Sequence, residues 1–161
     1  MKEVTLKELF DYKDSVSLFK DDALTLVENN PMTIGWGSMG VLWSRTVATV
    51  YIHKTRYSKE LFDEANSFSI NFFSDEYKNA LDICGRVSGR DTDKVKLCGF
   101  NVEYIDNTPY IKEAKMVLIL KKIGQADMDI NNVPDNIKPW YKKDGPHTMY
   151  VGEVIKVLKN E

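Results

Sequence analysis

A chain of 161 residues can bury one core without disulfide or metal staples and is expected to form a single domain over residues 1–161. Its 43% hydrophobic and 29% charged residues are ordinary for a water-soluble globular protein, and a formal net charge of −2 removes the electrostatic case for a nucleic-acid partner. The longest strong apolar run, residues 116–120, is far too short to cross a bilayer, and residues 1–8 carry no apolar signal core, so a cytoplasmic protein with no membrane partner is expected. Two cysteines, Cys84 and Cys98, lie outside any C-x-x-C spacing and far from His53 and His147, so no metal site is expected and both thiols are read as free.

In chain order, residues 23–28 read as a strand closed by the turn signal Asn29-Asn30-Pro31. Residues 32–37 and 38–43 read as a strand, a glycine bend and a return strand, and 47–53 as a strong strand. Ser58 is placed to cap a helix running to Ala65 with Leu61, Phe62 and Ala65 on one face. Residues 68–72 alternate apolar and polar, the pattern of a half-buried strand. Ser74 or Asp75 is expected to cap a helix through Tyr77, Ala80, Leu81 and Cys84 that ends at Gly85. Asp91 is expected to cap a short turn over 94–97 that ends at Gly99. Strands at 102–105, 115–123 and 147–158 close the sheet, and 129–140 reads as a loop with one helical turn. The sum is a mainly β domain with short helices inserted between strands, whose apolar strands find a second surface by closing into a small barrel.

Gly35-x-Gly37-x-x-Gly40 matches the spacing of a dinucleotide-binding fingerprint. That fingerprint follows a strand, opens a helix and has an acid about twenty residues on. Here the following residues are rich in Val, Ile and Thr, which favour strand, and 52–56 contain no acid. The glycines instead mark a bend where backbone approaches a ligand or a neighbouring strand.

Several side chains could serve a flat ligand with an anionic tail. The Thr33 hydroxyl could donate to a phosphate or to the polar edge of a ring, or simply suit a pleated surface. Lys54 and Arg56 precede a helix start that already carries partial positive charge. An anion held by Arg56, Ser58 and the first helical N–H groups would relieve that conflict, while a solvated loop with surface cations is the plainer reading. Arg90 and Lys94, in Ser88-Gly89-Arg90-Asp91-Thr92-Asp93-Lys94, could reach the anion from another side, or belong to a connecting loop. Trp36, Trp43 and Tyr57 are stacking faces or core. His147 could donate a hydrogen bond or a proton near a substrate, or lie at the surface. No Ser-His-Asp set, HExxH, catalytic carboxylate pair or P-loop lysine occurs, so the side chains do not suggest a hydrolase.

Taken in order, Asn30-Pro31-Met32-Thr33, the Trp36-Gly37 step, Lys54-x-Arg56-Tyr57-Ser58, Phe68-Ser69-Ile70-Asn71, the Ser88-to-Lys94 motif and His147-x-x-Tyr150-Val151-Gly152-Glu153-Val154 resemble the flavin reductase-like family, in its flavoredoxin-like branch, from about residue 20 to 158. The resemblance implies an FMN-binding split β-barrel, a homodimer with one FMN per subunit near the interface, and an NAD(P)H-dependent flavin reductase. NADH or NADPH would be the electron donor, and a small molecule or a protein the acceptor. It places Met32, Thr33 and the backbone of Ile34, Gly35, Trp36 and Gly37 on the flavin. Lys54, Arg56, Tyr57 and Ser58 would stand around the ribityl chain and phosphate, Lys94 on the same phosphate, and His147 near the reactive face. Ser58 stands where threonine is usual, His53 has no assigned role, and longer relatives carry a C-terminal aromatic over the flavin, a contact this sequence leaves open. The alternatives are an FMN electron carrier or sensor serving a protein partner, and an apo-barrel used as a scaffold.

Overall fold

Every ladder between the described strands is antiparallel, and three of them are hairpins closed by short turns. The computed structural model describes residues 1–5, 19 and 22–160. Its strands are β1 (Lys2–Val4), β2 (Ala23–Val27), β3 (Asn30–Ile34), β4 (Gly37–Leu42), β5 (Arg45–His53), β6 (Ser67–Phe72), β7 (Val102–Ile105), β8 (Thr108–Ile111), β9 (Met116–Asp127) and β10 (His147–Lys159). Its helices are α1 (Tyr57–Glu64), α2 (Lys78–Arg86) and α3 (Lys94–Cys98), with single 3-10 turns at Asp75–Tyr77, Ile130–Asn132 and Lys138–Tyr141.

The main sheet runs β3-β2-β6-β9-β10-β5-β4, with β1 beside the far end of β10. Consecutive strands β3 and β4 therefore lie at opposite ends of the ladder, and the link Gly35-Trp36 carries the chain from one edge to the other. Ile34 of β3 shares a core with Ala48, Val50 and Ile52 of β5, so the sheet curls on itself as a split barrel. The expected return strand is thus corrected. β4 does not fold back on β3 but pairs with β5, Gly37 opposite Val50. The reason is the two-residue turn Trp43-Ser44, where both φ angles are positive (51° and 58°), the backbone of a tight β-hairpin. Two of the three fingerprint glycines, Gly37 and Gly40, have different surroundings. A Cβ on Gly37 would come within 2.3 Å of Phe19, a close approach only glycine permits. A Cβ on Gly40 would meet nothing within 4 Å among the described residues.

Two cores explain why β2 and β6 are buried on both faces, where alternation had suggested a half-exposed β6. Inside the barrel, Phe68, Ile70 and Phe72 of β6 meet Met116, Leu118, Leu120, Tyr150 and Phe62 of α1. On the outer face Leu24, Leu26, Val117 and Ile119 are covered by Leu81 and Cys84 of α2, by Phe100, and by Tyr110 and Ile111 of β8. The polar residues of β6 are satisfied there: Asn71 donates to Ser69 Oγ at 2.8 Å and accepts from the Ile111 N–H at 2.8 Å. Strands β7 and β8, the latter unforeseen, form their own hairpin on this outer layer rather than closing the main sheet.

The helix boundaries move by a few residues, each for a local reason. Arg56 rather than Ser58 is the N-cap residue of α1, and no side chain caps it. The Ser58 hydroxyl accepts instead from Asn30 Nδ2 at 2.8 Å. Gly85 lies inside α2, which runs on to Arg86 with Val87 as its C-cap. Asp93, not Asp91, caps α3 by accepting from the Lys96 N–H at 3.1 Å, and Gly99 ends it in the left-handed region. No helix of the described residues is long and apolar enough to cross a membrane.

Candidate functional site

A cleft of 460 Å³ opens where β3, β5, the start of α1, the end of α2 and the loop before α3 meet. Strand alternation sorts β5: Val50 and Ile52 enter the core, while Tyr51 and His53 line the cleft. The β5–β10 register sets His53 opposite His147, and their rings meet edge to face at 4.9 Å. Met32, Thr33, Ile34, Gly35 and Trp36 supply another wall. Trp36 lies 4.6 Å from the His147 ring, 6.0 Å from Trp140 and 6.5 Å from Tyr141, centroid to centroid. The cleft thus has an aromatic corner.

Its other end is cationic. Arg56, Tyr57, Ser58 and Lys94 line the cleft with Cys84, Arg86, Val87, Ser88 and Gly89. Arg56 Nη1 donates to the Gly85 carbonyl at 2.7 Å, and Lys94 Nζ to the Cys84 carbonyl at 3.4 Å. Both acceptors belong to the last turn of α2, whose unpaired carbonyls favour cations. Lys94 is only 3% exposed. Among the described residues no carboxylate lies within 4.0 Å of either cation, and Asp144 is the single acid in the cleft wall. Burial, with the nearby Arg56 charge, holds the Lys94 ammonium below its ordinary range, although Cys84 partly offsets this. An isolated ammonium in such a place is costly unless an anion joins it.

Two buried polar atoms in this region have no partner among the described residues: Asn30 Oδ1 and His147 Nδ1. A Cβ on Gly89 would fall 2.0 Å from Asn30 Oδ1, so glycine lets the loop close onto that amide. Burial, then the charges of His53 and Arg56, push the His147 imidazole down to about 4, so it is neutral at physiological pH.

The Thr33 hydroxyl donates to the Leu81 carbonyl of α2, so its proton is engaged within the fold and it can offer a ligand only lone pairs. Lys54 turns away from the cleft and pairs with Asp127 at 2.7 Å, while its neighbours His53 and Thr55 line it. Gly37 lies in an adjoining apolar hollow of 440 Å³ with Phe19, Gly35, Trp36, Tyr51, Met128 and Tyr141. Arg90 pairs with Glu60 and stacks over the Tyr57 ring at 5.2 Å rather than entering the cleft. Sequence reasoning missed Tyr51, Thr55 and Cys84. The alternation along β5 could have found Tyr51 once His53 was placed.

The family model described as "Flavin reductase like domain" matches residues 25–161. The chain belongs to the flavin reductase-like family. Among solved structures, a flavoredoxin from Methanosarcina acetivorans is 26% identical, with 88% of this chain and 69% of that one aligned at a TM-score of 0.72. A flavoredoxin of Desulfovibrio vulgaris (Miyazaki F) is 22% identical (88% and 70%, TM-score 0.71). An FMN-binding protein from Thermus thermophilus is 20% identical (88% and 73%, TM-score 0.70). The last two speak for the shared fold alone. The comparison with curated proteins gave no match. Within this flavin reductase-like chain, the residues present fit a flavin nucleotide: a cationic end for the phosphate, an aromatic corner beside accessible backbone for the ring, and two unpartnered polar atoms near them.

Proposed function

We propose that the protein binds FMN and acts as an NAD(P)H-dependent flavin reductase, one flavin-binding unit spanning residues 1–161. The observation that carries this reading is the convergence on one cleft of Arg56 and Lys94, two cations with no carboxylate partner among the described residues, together with Ser58 and the start of α1. A phosphate there would neutralise the cations and take hydrogen bonds from the first amides of the helix. FMN, when bound, supplies hydride acceptance and onward release of electrons.

This chain's residues would hold and orient that group. Arg56 and Lys94 bind its tail, and the helix end behind them fixes both side chains. Met32 to Trp36 and Tyr51 present backbone and ring faces to a flat ligand. His147, neutral at pH 7, can donate at one ring nitrogen or accept at the other without adding charge to the cleft. Lys54 and Gly37 stand beside these residues as support, since Lys54 is taken by Asp127 and Gly37 by Phe19.

The purified protein is expected to be yellow, with absorbance near one FMN per chain, and anaerobic mixing with NADH and NADPH in turn should bleach it with one or both. Colourless protein that fails to take up added FMN refutes the reading. A second reading, an electron carrier serving a protein partner, is favoured by the 26% identical flavoredoxin and by Trp140, 69% exposed beside Trp36. Steady nicotinamide consumption with excess free FMN separates the two. A homodimer in the cytoplasm is the expected state. Val41, Leu42 and Trp43, exposed at the β4–β5 turn, support an interface, and sedimentation analysis tests it.

A further inference from the structure

Cys84 and Cys98 take no part in the proposed flavin chemistry, yet their positions are not independent. Both are free, and their sulfurs lie 3.7 Å apart across the α2–α3 contact. A disulfide needs about 2.05 Å. The remaining travel is within reach of α3, a five-residue helix. Cys84 ends the buried run of α2 and lines the cleft, and the chain between the two thiols contains Arg86, Val87, Ser88, Gly89 and Lys94, all in the cleft wall. We propose that Cys84 and Cys98 form a reversible disulfide, a redox modification site that closes a loop around the cationic end of the cleft.

The chemistry needs a hydroperoxide as oxidant. Cys98 is half-buried and Cys84 fully buried. Burial, then the neighbouring Cys98, pushes the Cys84 thiol up to about 12, so Cys98 is oxidised first. The Cys98 sulfur attacks hydrogen peroxide: an S–O bond forms, the O–O bond breaks, and water leaves with the thiol proton. Cys84 Sγ then attacks the sulfenyl sulfur. The S–S bond forms, the S–O bond breaks, and the hydroxide departs as water with the Cys84 proton. In total two thiols lose two electrons and two protons, and one peroxide becomes two waters. An added dithiol reverses it by exchange.

Closing this loop reduces the freedom of the segment that carries Lys94. Resting on the FMN reading, the oxidised protein should therefore release FMN more slowly. The test is mild hydrogen peroxide added to the protein as purified, followed by intact mass and peptide mapping. The expected result is loss of two hydrogens, a Cys84–Cys98 cross-link within one chain, reversal by dithiothreitol, and no such product in Cys98→Ser or Cys98→Ala. Sulfinic acid at Cys98 as the end product, or cross-links only between chains, in protein that keeps its circular dichroism, overturns the proposal. For the clamp, FMN release followed by ultrafiltration should slow severalfold on oxidation in the native chain and not in Cys98→Ser. Equal rates overturn the clamp. The mapping result does not depend on FMN uptake, so failure of the disulfide and failure of the flavin reading are told apart.

Discussion

Replacing the two cations without disturbing the fold gives the sharpest measurement. Lys94→Met keeps the length and volume of a side chain that is 3% exposed. It removes a buried charge whose one hydrogen bond among the described residues is long, 3.4 Å to the Cys84 carbonyl, so unfolding stability should hold or rise. Arg56→Gln keeps a polar side chain but removes the charge and gives up the 2.7 Å bond to the Gly85 carbonyl, which the shorter amide does not reach. A hydrogen bond to a charged group contributes about 1.5–3 kcal/mol. The buried Lys94 belongs at the upper end of that range and the solvent-screened Arg56 at the lower end or beneath it. The pair together should cost about 3–4.5 kcal/mol of FMN binding, a rise of about 10²- to 10³-fold in Kd. Riboflavin has the same ring and chain without the phosphate, and its Kd should move by less than about threefold. Fluorescence titration of both ligands against both proteins provides the assay. Equal losses for FMN and riboflavin would refute the placement of the phosphate, and no loss for either would refute the cleft as the site.

The sequence made the β-rich barrel legible because its signals are local: Val- and Ile-rich runs, turn residues, and glycines that could not open a helix. It also made Arg56 and Ser58 legible together, through charge misplaced for a helix start, and pointed to Lys94 separately, through the polar cluster Ser88 to Lys94. What it withheld was set by tertiary contact. Nothing local says that β4 pairs with β5 rather than β3, because the deciding turn, Trp43-Ser44, carries neither glycine nor asparagine at its positive φ angles. The alternation of 68–72 implied one wet face, yet α2, β8 and Phe100 cover that side. Lys54 looked equivalent to Arg56, yet it stands in the turn just past the end of β5 and pairs with Asp127 instead. Thr33 looked like a donor to ligand until α2 supplied a carbonyl. α2 explains two of these departures, the covered face of β6 and the engaged Thr33 hydroxyl. It packs on β3, accepts from Arg56 and Lys94, and carries Cys84. The cations are held by a helix C-terminus at their backs while the N-terminus of α1 borders the same cleft. A negatively charged ligand between two such groups completes the charge balance that the protein alone leaves open.

Three further outcomes follow from the same geometry. Gly89→Ala would put a methyl group 2.0 Å from Asn30 Oδ1 and so break the Asn30–Ser58 bond. FMN affinity should fall at least about tenfold in calorimetric titration, and unchanged affinity would free Asn30 of any role. Tyr150→Phe removes a 2.6 Å hydrogen bond to Asp63 of α1 and should cost about 1–3 kcal/mol in urea unfolding, with the barrel's circular dichroism retained. The third concerns pH. Burial, His53 and Arg56 hold the folded His147 near about 4, against an ordinary value of 6.5. Between those values the unfolded chain takes up a proton that the folded chain refuses, so this contribution to stability is complete above 6.5 and declines as pH falls toward 4. Asp127, held low by its bonds from Lys54 and Thr148, titrates beneath that window and leaves its upper part to the imidazole. Denaturation midpoints measured from pH 7 to pH 5 should therefore drop in the native protein and stay flatter in His147→Gln. The same slope in both would mean that the His147 ring is solvated and titrates normally, which its unpartnered Nδ1 and its packing against Trp36 argue against.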